Sequence, residues 1–172
     1  MKKLIGVIAL SLASLLAHAD GISGTVQTNK IKGTTTNNSA NAGFIGEYVE
    51  SVVQNVSAGT TSTWTDTTSI SLTPGDWDVD IGYYVYANGA TVTLNIFGVS
   101  STSGTTFPSN QIGSNQSYCS PDSISGTSQC TGSVVRYRIS VASTTTYYLK
   151  TLSVYTVATP KIYARISARR VR

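Results

Sequence analysis

The chain has 172 residues, with 12 Lys and Arg against 8 Asp and Glu for a net charge of +4, which excludes a large multidomain enzyme and fits one ordinary domain. Ser and Thr fill 24 and 25 positions, 12% of residues are charged and 40% are hydrophobic, a balance too apolar and too uncharged for a disordered chain. Ten Tyr and 15 Gly, with abundant Thr and Val, favour strands joined by turns over helices, so the composition predicts an all-β fold.

Residues 1–19 have the pattern of a secretory signal peptide: Lys2 and Lys3, an apolar stretch from Leu4 to Ala17, then Ala17-His18-Ala19 as a small-x-small cleavage sequence. The apolar stretch is shorter than the roughly 20 residues a spanning helix needs. Cleavage after Ala19 is expected; the alternative is an uncleaved apolar segment that anchors or oligomerises the chain. His18 is the only histidine and would leave with the leader. The mature chain would then lack Ser-His-Asp and Cys-His chemistry as well as the commonest zinc ligand.

Residues 20–42 are rich in Gly, Thr, Asn and Ser with little apolar periodicity and read as an N-terminal arm or linker. The domain is expected to occupy residues 43–172. Gly46 to Val56 reads as a strand, and Thr68 to Thr73 as a second with Ile70 and Leu72 on one face, closed by the turn signal Pro74-Gly75. The strongest period-two pattern follows. Trp77, Val79, Ile81, Tyr83 and Val85 alternate with Asp76, Asp78, Asp80, Gly82 and Tyr84. Asn88-Gly89 signals a type I′ turn, and Val92, Leu94 and Ile96 share a face beyond it, so a hairpin is expected from Trp77 to Phe97.

Residues 100–133 have few apolar positions and many turn formers, and are expected to be a long loop, of the kind that is functional or poorly ordered. Cys119 and Cys130 lie in it and would pair in an oxidising compartment, stabilising the fold by roughly 3 kcal/mol; in a reducing cytoplasm they would be free thiols. Strand signals resume with Val135, Tyr137, Ile139 and Val141, then Tyr147 to Val157, and then Ile162, Ala164, Ile166 and Ala168 after Pro160. At least seven strands without a helix predict two antiparallel sheets packed face to face, a sandwich of Greek-key or jelly-roll type.

Charge is unevenly distributed. Residues 20–130 hold all eight acids against Lys30 and Lys32, whereas residues 131–172 hold eight bases and no acid. Pairing between the halves is favoured over a nucleic-acid surface, which would want a larger basic excess. Asp76, Asp78 and Asp80 share a strand face about 7 Å apart, and residues on one straight strand diverge too much for calcium, so a solvated or arginine-facing row is expected and no metal. Glu47 and Glu50 would point to opposite faces, which argues against a glycosidase pair unless Asp66 or Asp76 joins across the sheets. No catalytic residue and no cofactor are assigned. Phe107 and Tyr118 are isolated aromatics among Ser, Asn, Gln and Gly in the long loop, suited to ligand recognition; plugging the edge of the core is the equal alternative.

Three segments, Gly46-Glu47-Tyr48-Val49, the stretch from Ser69 to Val79 containing Leu72-Thr73-Pro74-Gly75-Asp76-Trp77-Asp78-Val79, and the ending Ile166-Ser167-Ala168-Arg169-Arg170-Val171-Arg172, give the chain a resemblance to virion-associated domains of tailed bacteriophages. The resemblance covers roughly residues 37–172 and is thin through 100–133. It implies a jelly-roll module, homotrimeric, at a tail-fibre tip or on the capsid as a decoration, with no enzymatic activity. The first expectation is accordingly a virion structural module that sits among other virion proteins, recognises a cell-surface glycan or protein through loops such as 100–133 and, from the charge balance, binds no nucleic acid. The leader departs from that pattern, because virion proteins assemble in the host cytoplasm. The competing expectation is therefore a secreted bacterial adhesin or lectin-like protein, exported to the periplasm or beyond. An exported polysaccharide hydrolase working through carboxylates ranks third.

Overall fold

The computed structural model describes residues 39–107, 116–119 and 123–172. The leader, most of the expected arm (20–38) and Pro108 lie outside the described residues. Within them the regular elements are all strands: β1 (Tyr48–Ser57), β2 (Trp64–Leu72), β3 (Gly75–Tyr86), β4 (Thr91–Ser100), β5 (Gln116–Cys119), β6 (Ile124–Ser125), β7 (Gln129–Val141), β8 (Thr145–Thr156) and β9 (Lys161–Arg170). Pairing is antiparallel throughout. The first sheet runs β1-β9-β3-β7 and the second β2-β8-β4-β5, with β6 pairing β4 farther along the edge that β5 occupies. The expected antiparallel β-sandwich is thus the observed architecture.

The core lies between the sheets and is filled by the alternation legible in the sequence. Trp77, Val79, Ile81, Tyr83 and Val85 of β3 are buried, as are Ile162, Ala164, Ile166 and Ala168 of β9. From the other sheet they meet Ile70, Leu72, Phe97, Val99 and Leu149. Tyr83 stacks on Phe97 with ring centroids 3.5 Å apart. Burial pushes its phenol above the ordinary tyrosine range, although a hydrogen bond to Ser117 works against that shift. Its partner across the ladder is Gly132, where an added Cβ would collide with the phenol ring.

Three expectations are corrected. The hairpin from Trp77 to Phe97 does not form: β3 and β4 belong to different sheets. Asn88 and Gly89 do take positive φ, 53° and 82°, as a type I′ turn requires. The turn, however, carries the chain across the sandwich, with Ala87 and Ala90 fully buried at the corner. Both strands offer an apolar face, and facing each other across the core buries both faces at once. The shared face of Val92, Leu94 and Ile96 is also broken. A register irregularity between Val92 and Leu94 leaves Val92, Phe97 and Val99 inside and turns Leu94 and Ile96 outward, half-buried. A similar shift in the β3–β7 ladder, between Val79 and Ile81, makes Val134 the core residue next to the irregularity. Finally, residues 100–133 are not one loop, since β5, β6 and the start of β7 fall within them. These strands are short or polar because each takes its pairing from β4 or β3, so little apolar periodicity of their own is needed.

Candidate functional site: the outer faces and their charged anchors

Each described ion pair joins an acid from the first part of the chain to a base from residues 131–172, as the charge distribution predicts: Glu47 with Arg170, Asp66 with Lys150, Asp76 with Arg172, and Asp78 with Arg138 and, at 4.0 Å, Arg136. The aspartate row of β3 therefore faces arginines at Asp76 and Asp78. Hydrogen bonds from Arg172 and then Ser140 hold the Asp76 carboxyl below the usual carboxylate range. The hydrogen bond to Asp78 raises the Arg138 guanidinium further above its already high value.

Two of these pairs are buried anchors. Arg170, 4% exposed, donates from Nε to Glu47 Oε2 at 2.9 Å and also to the Pro74 carbonyl and the Thr73 hydroxyl. Its guanidinium lies 4.4 Å from the Trp77 ring centroid, a cation–π contact, and Trp77 Nε1 donates to the Thr73 carbonyl at 2.9 Å. One side chain thus ties the entry to β1, the β2–β3 turn and the end of β9. Gly75 makes room for it, since a Cβ there would collide with Arg170 Nη1.

Lys150 projects from the outer face of β8 yet is 0% exposed. Its Nζ donates to Asp66 Oδ1, to the Thr102 carbonyl at 3.1 Å and to the Gly104 carbonyl at 2.6 Å. Asp66 in turn accepts from Ser103 Oγ at 2.7 Å and Gly104 N–H at 2.8 Å. Gly98 stands opposite Lys150 in the ladder; with no side chain there, the lysine has room beneath the loop. Partial burial works to raise the Asp66 carboxyl, but hydrogen bonds from Lys150, Gly104 and Ser103 together with the Lys150 charge outweigh it and hold the group below the usual carboxylate range. The loop leaving β4 is thereby pinned over the outer face of the second sheet.

Next to this pin lies an apolar band. Trp64 pairs with Leu152, Leu152 with Ile96, and Leu94 with Val154; all five are half-buried. Phe107 stacks on Trp64, centroids 4.5 Å apart and planes at 28°. Tyr118 occupies the register position opposite Ile96. The two positions singled out for ligand recognition therefore stand at opposite edges of the band, Phe107 on Trp64 of β2 and Tyr118 on β5. Trp64, Lys150 and Arg170 were not legible as functional positions. The signal for Lys150 was a single charge inside the apolar run Tyr147-Tyr148-Leu149-Lys150-Thr151-Leu152, where a lysine needs a partner. In comparisons with known proteins, the chain matches no family model and no curated relative.

Proposed function

We propose that this protein is a non-enzymatic structural module of a phage virion, a tail fibre or capsid decoration, built on a jelly roll, assembled as a homotrimer with other virion proteins beside it, and binding a cell-surface glycan or protein. The observation that carries this reading is the strand order. Taking β5 and β6 as one interrupted strand, the partners β1/β9, β2/β8, β3/β7 and β4/β5 are nested, as in the double-sheet jelly rolls that serve in capsids and lectins. The trimer would cover the band of Trp64, Leu94, Ile96, Leu152 and Val154, with Phe107 at its margin. A contiguous apolar strip on an outer sheet face is the kind of surface a partner covers, and three copies turning one face toward a common axis bury it in a closed ring.

Light scattering after size-exclusion chromatography is expected to give three times the chain mass at micromolar concentration. Leu152→Lys places three charges around the axis and should yield a monomer with an unchanged far-ultraviolet spectrum. A wild-type monomer would remove the trimer from the proposal.

A second reading, the exported adhesin or lectin-like protein, is favoured by the cysteines. No free cysteine is found among the described residues, and the strand that carries Cys119, β5, packs against β7, the strand of Cys130. We propose that the two are paired, as an oxidising compartment allows. Intact mass after alkylation of the native protein should show no added label without reductant and two with it; two labels without reductant would exclude the bond and this reading's main support.

A further inference from the structure

The ion pairs leave a remainder. Of the eight bases in residues 131–172, Arg136, Arg138, Lys150, Arg170 and Arg172 face carboxylates. Arg169 is taken up by the Gly46 carbonyl and the Tyr48 ring. The two that remain, Lys161 and Arg165, have no ion pair among the described residues. Both are on β9, and both are on its outer face, because they alternate with the buried Ile162, Ala164 and Ile166. Between them stands Tyr163.

This row borders a groove of about 340 Å³ on the outer face of the first sheet, lined by Val52, Gln54, Gly82, Tyr84, Tyr163 and Arg165. Its floor is a missing side chain. Gly82 sits between Arg165 and Ser133 in the ladder, and a Cβ added there would meet nothing within 4 Å. Tyr84 and Tyr163 pair edge to face at 5.0 Å and 66° to form one wall. Val52, 54% exposed, and Arg165 stand opposite each other in the β1–β9 ladder. The nearest carboxylates on this face, Asp80 and Glu50, both stand opposite Ser167, two residues along β9 from Arg165, and neither forms an ion pair with it. Toward Lys161 the outward positions are Tyr84, Tyr86, Gln54, Thr131 and Ser133, without an acid.

From this geometry we infer that the groove is a saccharide subsite for an acidic pyranose, its ring over the Gly82 floor against Tyr84 and Tyr163 and its carboxylate held by Arg165, with Lys161 at the open end. The inference rests on the binding role proposed above and gives it a place and a ligand class. Aromatic walls suit the apolar face of a sugar ring. A guanidinium is matched to a carboxylate through paired donors. The volume is at the lower end of the range for small-molecule sites, so it suits one or two sugar units. The site is on the opposite face of the sandwich from the apolar band, so assembly through that band leaves it open.

The test uses the full chain on an array carrying uronic- and sialic-acid-terminated oligosaccharides beside their neutral analogues, followed by titration of the best-bound probe. Acidic probes are expected to bind at least about tenfold more tightly than their neutral analogues. Arg165→Gln should erase that preference, and Tyr163→Ala should weaken acidic and neutral probes alike. Gly82→Val fills the floor at a strand position that favours a β-branched residue, so it should abolish binding with no loss of melting temperature. Equal binding of acidic and neutral probes, or wild-type affinity in Gly82→Val, would overturn the inference. So would polyglutamate binding as tightly as the sugars and independently of Tyr163, since the groove would then be a general anionic contact. Binding that survives Gly82→Val but is lost in Phe107→Ala would move recognition to the margin of the band on the other face and leave the proposed function standing. Wild-type binding to no arrayed glycan overturns this subsite, and the proposed function then stands or falls on a protein ligand.

Discussion

Arg170→Ala is expected to destabilise the domain by about 3–5 kcal/mol, the cost of leaving one member of a buried ion pair without its partner. For a domain of this size that corresponds to a fall in Tm of roughly 10–20 °C. The reason lies in what the guanidinium joins. Glu47, 7% exposed, would keep the backbone N–H of Gly43 at 2.7 Å but lose its counter-charge. The Pro74 carbonyl and the Thr73 hydroxyl would lose a donor, and the Trp77 ring its cation. The backbone bonds between Gly46, Glu47 and Arg170 would remain, so the strand pairing itself survives. Glu47→Gln should cost less, because the amide oxygen still accepts from Nε in the same volume. Arg170→Lys should fall between them, since one ammonium cannot reach three acceptors in different directions. Thermal unfolding followed by circular dichroism orders the three variants. An Arg170→Ala protein within about 1 kcal/mol of wild type would show that the cluster is incidental to stability.

Lys150→Met should separate loop anchoring from global folding. Methionine fills much of the space of the lysine stem but offers nothing to Asp66 or to the carbonyls of Thr102 and Gly104. Asp66 is 24% exposed at its side chain and recovers some hydration, so a loss of about 2–3 kcal/mol is expected, less than for Arg170→Ala. The larger effect is local. Hydrogen exchange at residues 101–107 should rise well above that of the β2–β8 and β4–β8 ladders, and Phe107 should become less firmly held on Trp64. Unchanged protection of this segment would assign its order to the aromatic stack instead.

The same pair sets an acid limb. The Asp66 carboxyl is held below its ordinary value in the folded protein, so its contribution is fully present above the unfolded carboxylate pKa of about 4 and is lost as pH falls through the lower folded value. Asp76, shifted the same way by Arg172 and Ser140, adds to that limb. Wild-type stability should therefore decline steeply below about pH 4. Lys150→Met should show a shallower decline, with the Asp76 part intact. Parallel pH profiles for the two proteins would mean that the Lys150–Asp66 contact carries no proton linkage.

Much of this molecule was determined by local chemistry in the chain. Alternation marked the inner faces of β3 and β9, hydroxyl-rich and aromatic composition set the all-β class, and the separation of acids from bases set the pairing between the two parts of the chain. These are readable because period two and charge sign are properties of neighbouring residues. Tertiary structure alone decided which sheet each strand joins. Asn88-Gly89 specifies a tight turn equally well within a sheet or across a sandwich, and only the gain from burying two apolar faces against each other sends β4 to the opposite layer. It also decided the registers: the irregularity after Val92 moves Leu94 and Ile96 from core to surface, and no local signal counts an extra residue in a strand. β5 and β6 exist through β4, so their strand character belongs to the partner more than to their own residues. Lys150, Trp64 and the groove over Gly82 arise in the same way, because each is a meeting of residues distant in sequence, brought together only when the strands of its own sheet have paired.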